Sequence, residues 1–110
     1  MTIKDILLIH HTHTDLGYSN YQSSVFALQR DYIRQAITLA ERYAEYPPEE
    51  QFKWTCEVTI TVEDFIKHAT DSEIERLQAV HKKGLIDFGG MYTNLSSLYT
   101  TDMLIRSLSV

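Results

Sequence analysis

Basic residues are scarce in this chain. Ten Lys and Arg stand against fifteen Asp and Glu, a formal net charge of −5. A nucleic-acid binder normally carries a basic face or stripe. Lys82, Lys83 and the scattered arginines make none, so no nucleic-acid partner is expected. Cysteine is rarer still. Cys56 stands alone, which excludes an internal disulfide and any Cys–Cys zinc spacing. A reduced, cytoplasmic protein is the expectation, with Cys56 as a small core residue, since free cysteine is among the most buried residue types. Long apolar runs are also missing. None approaches the roughly 20 residues of a membrane span. The run at 6–9 is four residues long, meets histidines at once, and lacks the form of a signal peptide. There is no internal repeat and no low-complexity stretch.

What remains is 110 residues, 44% hydrophobic and 23% charged, the balance of one ordinary globular domain. A chain this short buries a smaller share of its surface than a larger one, so its stability margin is expected to be thin. The elements alternate. Residues 3–10 (IKDILLIH) are rich in Ile and Leu, the pattern of a strand buried on both faces. From about 22 to 44, Phe26, Ile33, Ile37, Ala40 and Ala44 recur at helical spacing, with Arg30, Arg34 and Glu41 between them. Pro47 and Pro48 stop that helix. Residues 51–60 (QFKWTCEVTI) set Phe52, Trp54 and Cys56 against Lys53, Thr55 and Glu57, a period of two that predicts a strand.

Thr61 is then placed to cap a short helix reaching about His68. Thr70 and Glu73 have capping-box spacing and open a further helix that Gly84 ends. Residues 85–88 read as a third strand closed by Gly89 and Gly90. Thr100 and Thr101 open a last helix carrying Met103, Leu104, Ile105 and Leu108. Strand–helix alternation of this kind predicts an α/β fold, a parallel sheet covered by helices with right-handed crossovers. Three strands are few for such a sheet, and the helical pattern runs to the last residue without a stop signal. Both point to an incomplete piece of a larger domain.

Chemistry concentrates in residues 10–18, HHTHTDLGY, at the carboxyl end of the first expected strand, where open α/β folds place ligands. Strand alternation puts His11, His13 and Asp15 on one side and His10 on the other. Imidazole nitrogen with carboxylate oxygen suits zinc and related divalent ions, and Gly17 lets the chain turn sharply away. The blander alternative is a set of hydrogen-bonded loop histidines with no metal. His-x-His alone is a weak signal; His-x-His-x-Asp after a buried strand and before Gly-Tyr is stronger.

HTHTDLGY resembles the amino-terminal His-x-His-x-Asp-x-Gly-aromatic motif of glycoside hydrolase family 38, the alpha-mannosidase type. FKWTCE (52–57) is similar to that family's second strand. GLIDFGGMYTNLSSLYTTDMLIR (84–106) is similar to the stretch carrying its Gly-Gly segment, so the likeness is collinear over nearly the whole chain. The resemblance implies that residues 1–110 form the amino-terminal part of a (β/α) barrel-like catalytic domain, with His13 and Asp15 as zinc ligands. It implies retaining hydrolysis of a carbohydrate through an oxocarbenium-like transition state, with one carboxylate attacking, another protonating the leaving oxygen, and zinc holding sugar hydroxyls.

One departure stands out. The family's nucleophile, an aspartate that also binds zinc, falls by ungapped matching on Leu95, just after Asn94, and a leucine can do neither job. The family's fourth ligand, a later histidine, would lie beyond Val110. The chain alone is therefore expected to lack glycosidase activity.

Around this core, His11, Glu57 and Asn94 are candidates to line the site. Glu57 lies at the end of the second expected strand, as a contact to a ligand or to substrate, its alternative being a solvated surface carboxylate. Asp87 is a weaker candidate acid at the core edge. Tyr18, Trp54 and Tyr92 are candidates to stack on a sugar face, though aromatics at such spacing more often build cores. His68 and His81 read as surface residues. Two other functional classes stay open: a different metallohydrolase, such as an amidohydrolase-like barrel that also opens with His-x-His, and a non-catalytic truncated module that self-associates through an exposed sheet edge.

Overall fold

Three short signals set most of the backbone. In the computed structural model, which describes residues 2–94 and 99–108, the helical spacing after residue 21 gives α1 (Gln22–Arg42), which ends before Pro47 and Pro48. Its buried stripe is Val25, Gln29, Ile33, Ala36, Ile37 and Ala40. It keeps Ile33, Ile37 and Ala40 of the face read from the sequence and adds Val25, Gln29 and Ala36, while Phe26 and Ala44 are only half-buried. The alternation at 51–60 shrinks to a three-residue strand, β1 (Trp54–Cys56), with Trp54 and Cys56 inward. After it come α2 (Thr59–His68), α3 (Asp71–Lys82), β2 (Ile86–Phe88) and α4 (Thr101–Ser107).

The turn signals act as local chemistry predicts. At the start of α3 the Thr70 hydroxyl accepts from the Glu73 amide while the Glu73 carboxylate accepts from the Thr70 amide, a complete capping box. At its other end Gly84 takes φ +69°. The Gly84 amide donates to the His81 carbonyl and the Leu85 amide to the Val80 carbonyl, so a left-handed residue closes the last turn in the Schellman pattern. Thr100 caps α4 by accepting from the Met103 amide.

Thr61 does not cap α2. That helix begins three residues earlier, at Thr59 with Val58 in the cap position, because the Thr59 and Ile60 amides find acceptors in the backbone carbonyls of Met91 and Tyr92. Thr61, already inside the helix, donates its hydroxyl to the Val58 carbonyl.

β1 and β2 pair in parallel, Trp54 with Ile86 and Cys56 with Phe88. A parallel pair needs a crossover, and α2 and α3 supply it. α1 packs on both of them, and the core between helices and sheet holds Phe65, Ile33, Ile37, Ile86 and Cys56, all fully buried. Ion pairs rim it: Arg30 to Asp64 at 2.6 Å ties α1 to α2, while Arg34 to Glu73 and Arg76 to Glu41, each at 2.6 Å, tie α1 to α3. The described residues thus form a mixed α/β structure of four helices and a two-stranded parallel sheet. No helix among them is long and apolar enough to cross a membrane.

The expected first strand at 3–10 is corrected. Only His11 pairs, in one parallel bridge to Thr55, and the Thr55 amide donates to the His10 carbonyl at 2.8 Å. Before that point the segment lies bare, with Ile3, Ile6, Leu7, Leu8 and Ile9 between 73% and 87% exposed. A strand apolar on both faces needs cover on both faces. A sheet of two three-residue strands gives it one partner edge, too short to reach back along the run.

Candidate functional site

Two anchors hold the histidine-rich segment over the end of β1. The backbone bond from Thr55 to His10 fixes its start, and the Trp54 indole nitrogen donates to the Thr12 hydroxyl at 3.3 Å. The segment ends at Gly17, whose φ of +96° suits glycine and turns the chain toward α1. Between these points His13 and Asp15 project outward, with side chains 52% and 56% exposed.

His13 Nε2 lies 3.4 Å from Asp15 Oδ1. On the ring's other side, Nδ1 lies 2.9 and 2.8 Å from the two oxygens of Glu57. Asn94 Nδ2 donates to Glu57 Oε1 at 3.3 Å and approaches His13 Nδ1 at 3.5 Å. The hydrogen bond to Glu57, and then the charge of Glu57, raise the His13 pKa above its ordinary value; desolvation works against them and Asp15 adds to the rise. When protonated, the ring joins the two carboxylates; when neutral with its proton on Nδ1, it offers the Nε2 lone pair on the Asp15 side.

The chain matches no known family model, no curated protein and no solved structure.

Of the five residues singled out around the histidine motif, four therefore meet: His13, Asp15, Glu57 and Asn94. His11 stays apart. It sits at the bridge to Thr55 and, with His10, borders a groove of about 330 Å³ against Tyr32 and Leu39 of α1. The alternation expected of a strand does not operate here, because residues 12–15 are irregular. Leu95, the position aligned with the family nucleophile, falls outside the described residues.

Among the described residues no group of three or more His, Cys, Asp and Glu side chains is placed to hold a metal ion. The arrangement explains why: the His13 ring stands between Glu57 and Asp15, so the two carboxylates address opposite nitrogens. His13 Nε2 with Asp15 Oδ1 does fit half of a site. Two ligands each about 2.1 Å from a tetrahedral zinc stand roughly 3.3–3.5 Å apart, and the observed separation is 3.4 Å.

Other candidates resolve differently. Trp54 is core, while Tyr18 is almost fully exposed. Tyr92 donates its hydroxyl to Glu63 at 2.7 Å, beside the N-terminal half of α2. Asp87 points outward and accepts from the Phe88 amide. His68 lies on the surface against Asp64. His81 is exposed but engaged, with Nδ1 at 2.9 Å from the Ile86 carbonyl and its ring 4.8 Å from that of Phe88. Cys56 is buried, and burial pushes its thiol up to about 12, so it is an inert core residue rather than a nucleophile.

A pocket of about 10 Å³ lies beside Glu57, bordered by Thr12, Thr14 and Gln29. That is room for about one water.

Proposed function

We propose that this chain forms the amino-terminal part of a zinc-dependent glycoside hydrolase domain of the alpha-mannosidase type, barrel-like in the whole protein and working in the cytoplasm. The observation that carries the reading is the 3.4 Å approach of His13 Nε2 and Asp15 Oδ1, an edge that one tetrahedral ion spans. In support, the two ligand positions are the ones the family resemblance selects. Bound zinc would act as a Lewis acid toward sugar hydroxyls. His13 and Asp15 hold two of the positions around it, and further ligands, the nucleophile and the general acid come from outside the described residues. The same reading takes the exposed sheet edge as a contact between copies of the chain.

Calorimetric titration of the whole protein with zinc tests this. Uptake of about one ion per chain is expected, abolished by His13→Ala and by Asp15→Ala and retained in His11→Ala. No uptake, or uptake indifferent to both ligand substitutions, would overturn the metal assignment. Residues 1–110 alone should not turn over an aryl mannoside. The amidohydrolase-like alternative uses a His-x-His pair, and the separation of His11 from His13 counts against it.

A further inference from the structure

His13 has two ring nitrogens, and only one can face an ion. Which one is free depends on where the proton sits, and that is set by the partner of the other nitrogen. In water a free neutral imidazole favours its proton on Nε2, which would block the nitrogen nearest Asp15. Glu57 opposes this. An ionised carboxylate only accepts hydrogen bonds, and both its oxygens lie within 2.9 Å of His13 Nδ1. A neutral ring bonded to Glu57 in this way carries its proton on Nδ1 and leaves the Nε2 lone pair toward Asp15.

We infer that Glu57 is the positioning residue of this site, fixing the tautomer and ring orientation of His13, and that Asn94 holds Glu57 in place. The inference rests on the zinc reading above but depends on separate atoms. Glu57 follows β1 directly, its side chain is a quarter exposed, and it receives donors from two distant segments, His13 before α1 and Asn94 after β2. Its backbone is fixed as well: the Gly89 amide donates to the Cys56 carbonyl at 2.7 Å, and Gly89 lies flat against the Glu57 carbonyl. A solvated surface carboxylate would have neither the partners nor the clamp.

The test uses the whole chain, labelled with ¹⁵N and free of metal, at about pH 9, where ring nitrogen shifts report the His13 tautomer. Wild type should carry the proton on Nδ1, and Glu57→Ala should move it to Nε2. Zinc affinity should fall roughly 10- to 100-fold in Glu57→Ala. Glu57→Gln, whose carboxamide oxygen still accepts from Nδ1, should keep the wild-type tautomer and lose less affinity, and it guards against a folding defect. Asn94→Ala should fall between the two. Zinc binding with tautomer and affinity unchanged in Glu57→Ala overturns this inference alone. A Glu57-dependent tautomer in a protein that takes up no zinc overturns the zinc reading alone.

Discussion

A methyl group at position 89 would have nowhere to go. A Cβ built on Gly89 meets the Glu57 carbonyl oxygen at 2.1 Å and its carbon at 2.9 Å, and both are backbone atoms. At Gly90 nothing lies within 4 Å. Gly89→Ala must therefore push the end of β1 away from β2, and an overpacked contact of this kind costs about 1–3 kcal/mol. Urea unfolding should show that loss for Gly89→Ala and little change for Gly90→Ala; equal midpoints for the two variants would contradict the close approach. Because the displaced strand end carries Glu57, zinc affinity should fall in the same variant. The Gly-Gly pair is legible in sequence as a strand terminator, but the reason the first glycine is required is a contact between chains of residues 32 positions apart, which no local pattern reports.

Among the elements, α3 is the one whose attachment is most sensitive to acid. Glu73 closes its capping box and also pairs with Arg34 of α1. The Arg34 guanidinium, followed by the Thr70 amide and hydroxyl, holds its carboxyl down at about 2. A carboxylate whose folded value lies below its unfolded one, here about 4.5, stabilises the fold above that unfolded value. That stability is lost as pH falls through about 2. Melting temperatures measured from pH 5 to pH 2 should fall less steeply in Glu73→Gln than in wild type, and parallel curves would show that Glu73 does not couple the two helices.

This element was readable in advance because its signals are local, with Thr70, Glu73 and Gly84 lying within one helix length. α1 and β1 were readable for the same reason, through periods of 3.6 and 2. The strand at 3–10 was not, because its apolar pattern is a demand for neighbours rather than a local preference. The start of α2 was missed because Met91 and Tyr92, 32 residues away, supply its acceptors. At the site, His13 and Asp15 come from a motif. Glu57 and Asn94 had been candidates, but the bonds joining them to His13 depend on the register of the parallel sheet.

Seen whole, the molecule is less compact than its length implies. Its radius of gyration is 15.7 Å, against roughly 13 Å for a close-packed domain of this size. The bare apolar arm at 3–9 contributes to the excess. Contiguous exposed apolar residues, as at 6–9, favour association. Sedimentation should show concentration-dependent self-association, weakened by the double substitution Leu7→Lys and Leu8→Lys; a monomer at all concentrations would show that the arm is not a contact between copies.

Cys56 sits at the middle of this, walled in by the helices and paired across the sheet to Phe88. Sealed and kept protonated, it meets an alkylating reagent only when β1 and β2 come apart. The chain thus carries its own stopwatch. The pace at which that sulfur is labelled counts how often the strands part, and with them the scaffold that keeps Glu57 against His13.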